Sequence, residues 1–256
     1  LAVDFFFVLS GFVIGYAYDR CWKNKGMTTG RFMLRRIIRL QPMVVLGVIV
    51  GAIAYLLQGS VHWDGTPVPF HWVLAALILG LFMIPVLPGA AADVRGNGEM
   101  FPLNGPTWSL FFEYIGSVLY AVILHRLSKN GLRTVVAVSG IGLAACALCN
   151  MSGAFHLGVG WSMADMGWLG GFLRLSLSFG IGLMLTRDFR PMRIRGAFWI
   201  CAALITVIMS CPYIGSTDGN PSIANGVYDI ICTLLIFPTI HWRMRHYLRY
   251  IYEQSM

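Results

Sequence analysis

Apolar residues fall along this chain in long blocks, not in the alternation of a half-buried strand. Eight blocks, at about 1–18, 40–57, 70–87, 108–124, 134–149, 168–185, 196–212 and 223–240, approach the length a helix needs to cross a bilayer. The stretches between them are polar, and no block is interrupted by a soluble segment, an internal repeat or a low-complexity tract. The pattern predicts an all-α fold, a polytopic transmembrane helix bundle. The 70–87 block is the exception, because Pro67 and Pro69 precede it and Pro85 and Pro88 end it. Proline breaks helices and removes backbone donors, so this block is expected to be a re-entrant or interfacial segment beside about seven crossing helices.

Charge placement agrees. All but two of the 19 Lys and Arg residues, Arg95 and Arg174, fall in four loops at 19–39, 125–133, 186–195 and 241–256. The positive-inside bias puts those loops in the cytoplasm of a multi-pass cell (inner or plasma) membrane protein. Three blocks separate the first basic loop from the second, whereas two separate each later pair. One of the three must therefore not cross, which again selects 70–87 and makes 58–107 a single excursion on the outer side.

Composition narrows the function classes. Of 256 residues, 57% are apolar and 12% charged, with mean hydropathy +0.69. No soluble fold of this size could bury so much apolar surface, which excludes a cytosolic enzyme. The net charge of +8 belongs to loops and not to a basic binding face, so nucleic acid is not an expected partner; membrane lipid is. Six cysteines sit mostly within apolar runs and read as small hydrophobes, and the CxxC spacing at Cys146–Cys149 has no redox context. Asn150-Met151-Ser152 has the form of a glycosylation sequon but hugs a helix end. His62, His71, His241 and His246 match no metal spacing.

Four features rise above hydropathy. Asp4 opens the first block, followed by Ser10-Gly11, a packing notch of small residues. Arg36 and Arg39, at i and i+3 in 31–42, could grip phosphate oxygens bidentately or serve as plain cytoplasmic anchors. In Asn104–Tyr114, Pro106 and Thr107 fit a helix start and Trp108 an interface depth. Ser109 and Glu113, at i and i+4, place a hydroxyl and a carboxylate on one face, with Glu113 in the outer half of its span. An ionisable group there is either functional or part of a structural salt bridge. Arg174 stands alone within 168–185, with Asp4, Glu113 and Asp229 as possible partners.

Three of these stretches, VDFFFVLSGFVIG at 3–15, RFMLRRIIRLQP at 31–42 and WSLFFEY at 108–114, resemble in order and spacing the membrane acyltransferase-3 family, whose members O-acylate sugars and related acceptors. The resemblance implies a single membrane domain over 1–256. It implies an acyl-CoA co-substrate, commonly acetyl-CoA, no bound cofactor, no metal, and a glycan or lipid-linked sugar as acceptor. Arg36 and Arg39 would bind the donor. Glu113 would act at the catalytic centre supported by Ser109, and Asp4, Ser10, Trp108 and Arg174 would brace it. In the family a further first helix carries an arginine and the catalytic histidine, and further helices follow the last basic loop. This chain opens at Leu1 and stops at Met256, so the expectation is an incomplete domain, inactive by itself. A transporter or flippase using Arg174 and Glu113 at mid-membrane, or a non-catalytic remnant, are the competing readings.

Overall fold

The computed structural model describes residues 2–24, 26–151, 161–164 and 167–187, with pieces of helix between 199 and 231. The elements are α1 (Ala2–Lys23), α2 (Thr29–Leu57), α3 (Phe70–Leu81), α4 (Thr107–Val122), a 3-10 turn at Leu124–Arg126, α5 (Lys129–Leu148) and α6 (Gly167–Arg187). Helices α1, α2, α5 and α6 are long and apolar enough to cross a membrane. The expected blocks 196–212 and 223–240 lie largely outside the described residues, as do the basic positions beyond Arg187.

Helix boundaries depart from the apolar blocks for local reasons. The basic stretch at 19–39 is mostly helical: α1 runs on to Lys23, and α2 begins at Thr29, where the Thr28 hydroxyl accepts the Arg31 N–H. Helix α3 stops at Leu81, well short of the expected 87. Past Phe82, Met83 adopts a left-handed backbone (φ 57°), its N–H donating to the Gly80 carbonyl and that of Ile84 to Leu79. This double closure satisfies the last carbonyls of the helix. The same closure ends α2 at Gly59 and α5 at Asn150. Asn150 is thus a helix cap, an ordinary role for a residue that tolerates positive φ.

The chain forms two compact units, one of Leu1–Met27, Ile123–Leu157 and Leu173–Met256, the other of Thr28–Val122 and Gly158–Phe172. In the first, α1 and α6 run parallel and touch backbone to backbone. A Cβ on Gly11 would strike the Phe179 carbonyl, and one on Gly182 the Val8 carbonyl. Small residues allow this approach, which is how helices adhere in lipid. Thr186 Oγ donates to the Phe12 carbonyl at 2.9 Å. Two ion pairs close the ends: Asp4 with Arg174 (3.3 Å) and Asp19 with Arg187 (3.1 Å).

In the second unit, α2 is the spine. Helix α4 packs antiparallel to it, with Phe32 against Tyr120 at 5.4 Å. Helix α3, 12 residues and so about 18 Å long, is too short to cross a hydrocarbon core. It too runs against α2, its Gly80 meeting Val48 and its Val73 clustering with Tyr55 and Ala52. The chain then returns: Tyr55 Oη donates to the Val94 carbonyl (2.6 Å), and the Trp63 N–H to that of Arg95. Buried Asp93 pins this return by accepting N–H bonds from Gly89, Gly96 and Gly98. Nearby, the Thr66 hydroxyl and N–H both donate to Asp64, which holds its carboxyl below the usual range. The segment 58–106 runs along α2 and comes back.

Candidate active site

The descent into α4 fixes the depth of everything that follows. Before Thr107 the backbone is irregular and buried against two glycines of α2. A Cβ on Gly51 would collide with the Leu103 carbonyl, and one on Gly47 with the Asn104 side chain. Irregular backbone at membrane depth is tolerated where protein covers it. Gly47 stands about 27 Å along α2 from its start, so α4 begins well inside the span of its neighbour. Glu113, about 9 Å into α4, therefore lies level with the basic end of α2.

There the Arg36 guanidinium meets it. Arg36 is 2% exposed, its Nη2 pairs with Glu113 Oε1, and its Nε donates to Ser117 Oγ at 3.1 Å. Ser117 Oγ in turn donates to the Glu113 carbonyl at 2.9 Å. Carboxylate, guanidinium and hydroxyl form one closed group, joining two of the three stretches that stood out in the sequence. Next to it, Tyr114 Oη donates to Gln41 Oε1 (3.1 Å), and Gln41 Nε2 to the Leu81 carbonyl at the end of α3 (2.6 Å). A single amide thus ties α2, α3 and α4 together beside the ion pair.

The expected site residues divide. Arg36 and Glu113 come together, although the topology argument had set them on opposite halves. Arg39 does not join them: it is exposed while Arg36 is buried, so the two arginines do not form one fork. Ser109 gives its hydroxyl to the Pro106 carbonyl (2.9 Å), and Ser117, four residues beyond Glu113 instead of four before it, takes the supporting place. Trp108 is half-buried and packs edge-on against Phe112, which meets Phe172 at 5.4 Å. Of the partners considered for Arg174, Asp4 is the one in contact, Glu113 is taken by Arg36, and Asp229 lies outside the described residues. Ser10 is buried in α1 one residue before the Gly11 contact. Gln41 and Ser117 were not singled out by the sequence, although a polar side chain within an apolar helix is itself the signal.

Comparison with known proteins gives the chain its relatives. A family model described as an acyltransferase domain matches residues 1–251. The protein called "Protein 2 in picA locus" of Rhizobium radiobacter is 35% identical over 156 residues, 57% of this chain and 78% of that protein. No solved structure matches. The family match runs through both compact units and through all three motif stretches, and the chain belongs to the acyltransferase-3 family of membrane acyltransferases.

Proposed function

We propose that this chain takes part in moving an acyl group, commonly acetyl, from acyl-CoA to a hydroxyl of a cell-envelope glycan or lipid-linked sugar. The membrane would be the cell's inner (plasma) membrane, with the basic loops on the cytoplasmic side where the donor arrives. The observation that carries the reading is the buried Arg36–Glu113–Ser117 group, whose ion pair joins two of the motif stretches. In the reaction the acceptor oxygen attacks the thioester carbonyl, the C–S bond breaks, and the acceptor proton leaves by way of a base to the thiol. Glu113 suits a role at the base, held in one orientation by Arg36. Arg39, exposed on α2, remains for the donor, whereas Arg36 is committed to the carboxylate. Trp108, Asp4, Ser10 and Arg174 brace the surrounding helices.

The test is acetyl-CoA-dependent release of free thiol, together with acetylation of envelope glycan, in membranes carrying the protein. Glu113→Gln is expected to lower turnover by about 10²–10⁴-fold, the usual worth of a positioned proton-transfer group. Arg36→Lys should also fall, because one ammonium cannot hold both Glu113 and Ser117 in the planar geometry of the guanidinium. Full activity in Glu113→Gln would sink the assignment, and substrate flux without acyl transfer would favour a transporter.

A further inference from the structure

A cavity of about 650 Å³ opens in the unit containing α1, α5 and α6, and no role has yet been given to it. Its volume is within the range of pockets that hold small-molecule ligands. One wall is a single face of α1: Tyr16, Arg20 and Lys23 follow at i, i+4 and i+7. The facing wall is the first turn of α5, with Ser128 and Lys129.

The floor is rigid. Arg187 spends its donors on structure: Nε to Asp19 (3.1 Å), Nη1 to the Leu127 carbonyl (2.8 Å) and Nη2 to that of Leu124 (2.9 Å). One side chain thereby fastens α1, α6 and the turn before α5. Arg20 and Lys23 differ from it: both are exposed, and neither makes an ion pair or side-chain hydrogen bond with any described residue. Tyr16 stacks one ring face on Phe12, 6.3 Å away with 6° between the planes, and the residue remains 40% exposed. Exposed cations over a hydrogen-bonded floor, beside an aromatic ring, suit a flat ligand that bears several negative charges. An ordinary membrane anchor would need the cations but neither the cavity nor the ring.

We propose that this cavity binds the nucleotide half of the acyl donor, its phosphates against Arg20 and Lys23 and its base against Tyr16. The inference rests on the donor reading above for the identity of the nucleotide.

The probe is adenosine 3′,5′-bisphosphate, titrated against the full chain in nanodiscs of phosphatidylcholine. Saturable binding is expected, weakening with salt, and weakened at least about tenfold in R20Q/K23Q because two charge-assisted contacts are lost. R20K/K23R, which keeps the charge and the insertion signal, should still bind, as should R133Q, a cation outside the cavity. Y16A should weaken the nucleotide several-fold but leave inorganic pyrophosphate unchanged. Equal affinity in R20Q/K23Q and wild type would overturn the proposal. So would nucleotide binding that is undetectable while nanodiscs containing phosphatidylglycerol bind through the same cations, since that would assign them to lipid headgroups. Nucleotide binding that acyl-CoA does not displace would leave the site standing and remove the donor reading. Acyl transfer with an unchanged donor KM in R20Q/K23Q would do the reverse.

Discussion

At the scale of single residues, the buried Arg36–Glu113 pair must be separated into what it does for stability and what it does for chemistry. Removing one partner strands the other charge among apolar side chains, so R36M or E113L alone should cost about 3–5 kcal/mol. Replacing both by apolar residues of similar volume is often close to neutral. R36M/E113L is therefore expected to unfold in detergent near the wild-type midpoint while remaining without acyl-transfer activity. A double variant as unstable as the worse single one would show that the pair is there mainly to hold α2 and α4 together. The types of these residues were legible in the sequence, because an acid and a basic motif inside apolar helices call for partners. Their pairing was not. Depth had been counted from the end of the apolar block around Glu113, on the assumption that α4 starts at the outer face. Nothing in the hydropathy of 101–106 reveals that this stretch lies against Gly47 and Gly51.

Among the helices, glycine contacts decide how closely partners approach, and they offer a graded test. Gly51→Ala drives a methyl group into the Leu103 carbonyl, whereas Gly30, in the first turn of the same helix, has no atom within 4 Å of its would-be Cβ. Overpacking against backbone costs about 1–3 kcal/mol or more. Helix propensity alone gives alanine up to about 1 kcal/mol over glycine. Gly51→Ala should lower the thermal midpoint and Gly30→Ala leave it equal or higher; similar shifts in both would mean that the 103–104 backbone does not seat in this groove. Periodicity identified the helices themselves and singled out 70–87 through its prolines. It missed where they end, because a left-handed Met83 and an N-cap at Thr28 are settled by single residues and not by the average of a block.

For the molecule as a whole, loop charge prescribed a direction for each span, and the packing within each unit obeys it: α1 and α6 run parallel, α2 and α4 antiparallel. The family match covers residues 1–251, through both units, although apolar pattern alone would have fitted many membrane bundles. The short α4 also bears on how the protein is made. As the ribosome delivers it to the membrane, α4 offers the insertion machinery only 16 residues with a carboxylate among them. A charged side chain at a helix centre opposes insertion by about 2.5–3.5 kcal/mol on translocon scales. Its counter-charge on α2 has been synthesised some 77 residues earlier, so α4 can settle only if α2 waits beside the exit site for it. Integration should thus be cooperative: in a glycosylation-mapping assay, α4 carried by a foreign host protein should insert poorly. It should recover when residues 28–122 are supplied together, and lose that recovery with R36M. Efficient insertion of α4 by itself would show that the two helices meet only after both are in the bilayer.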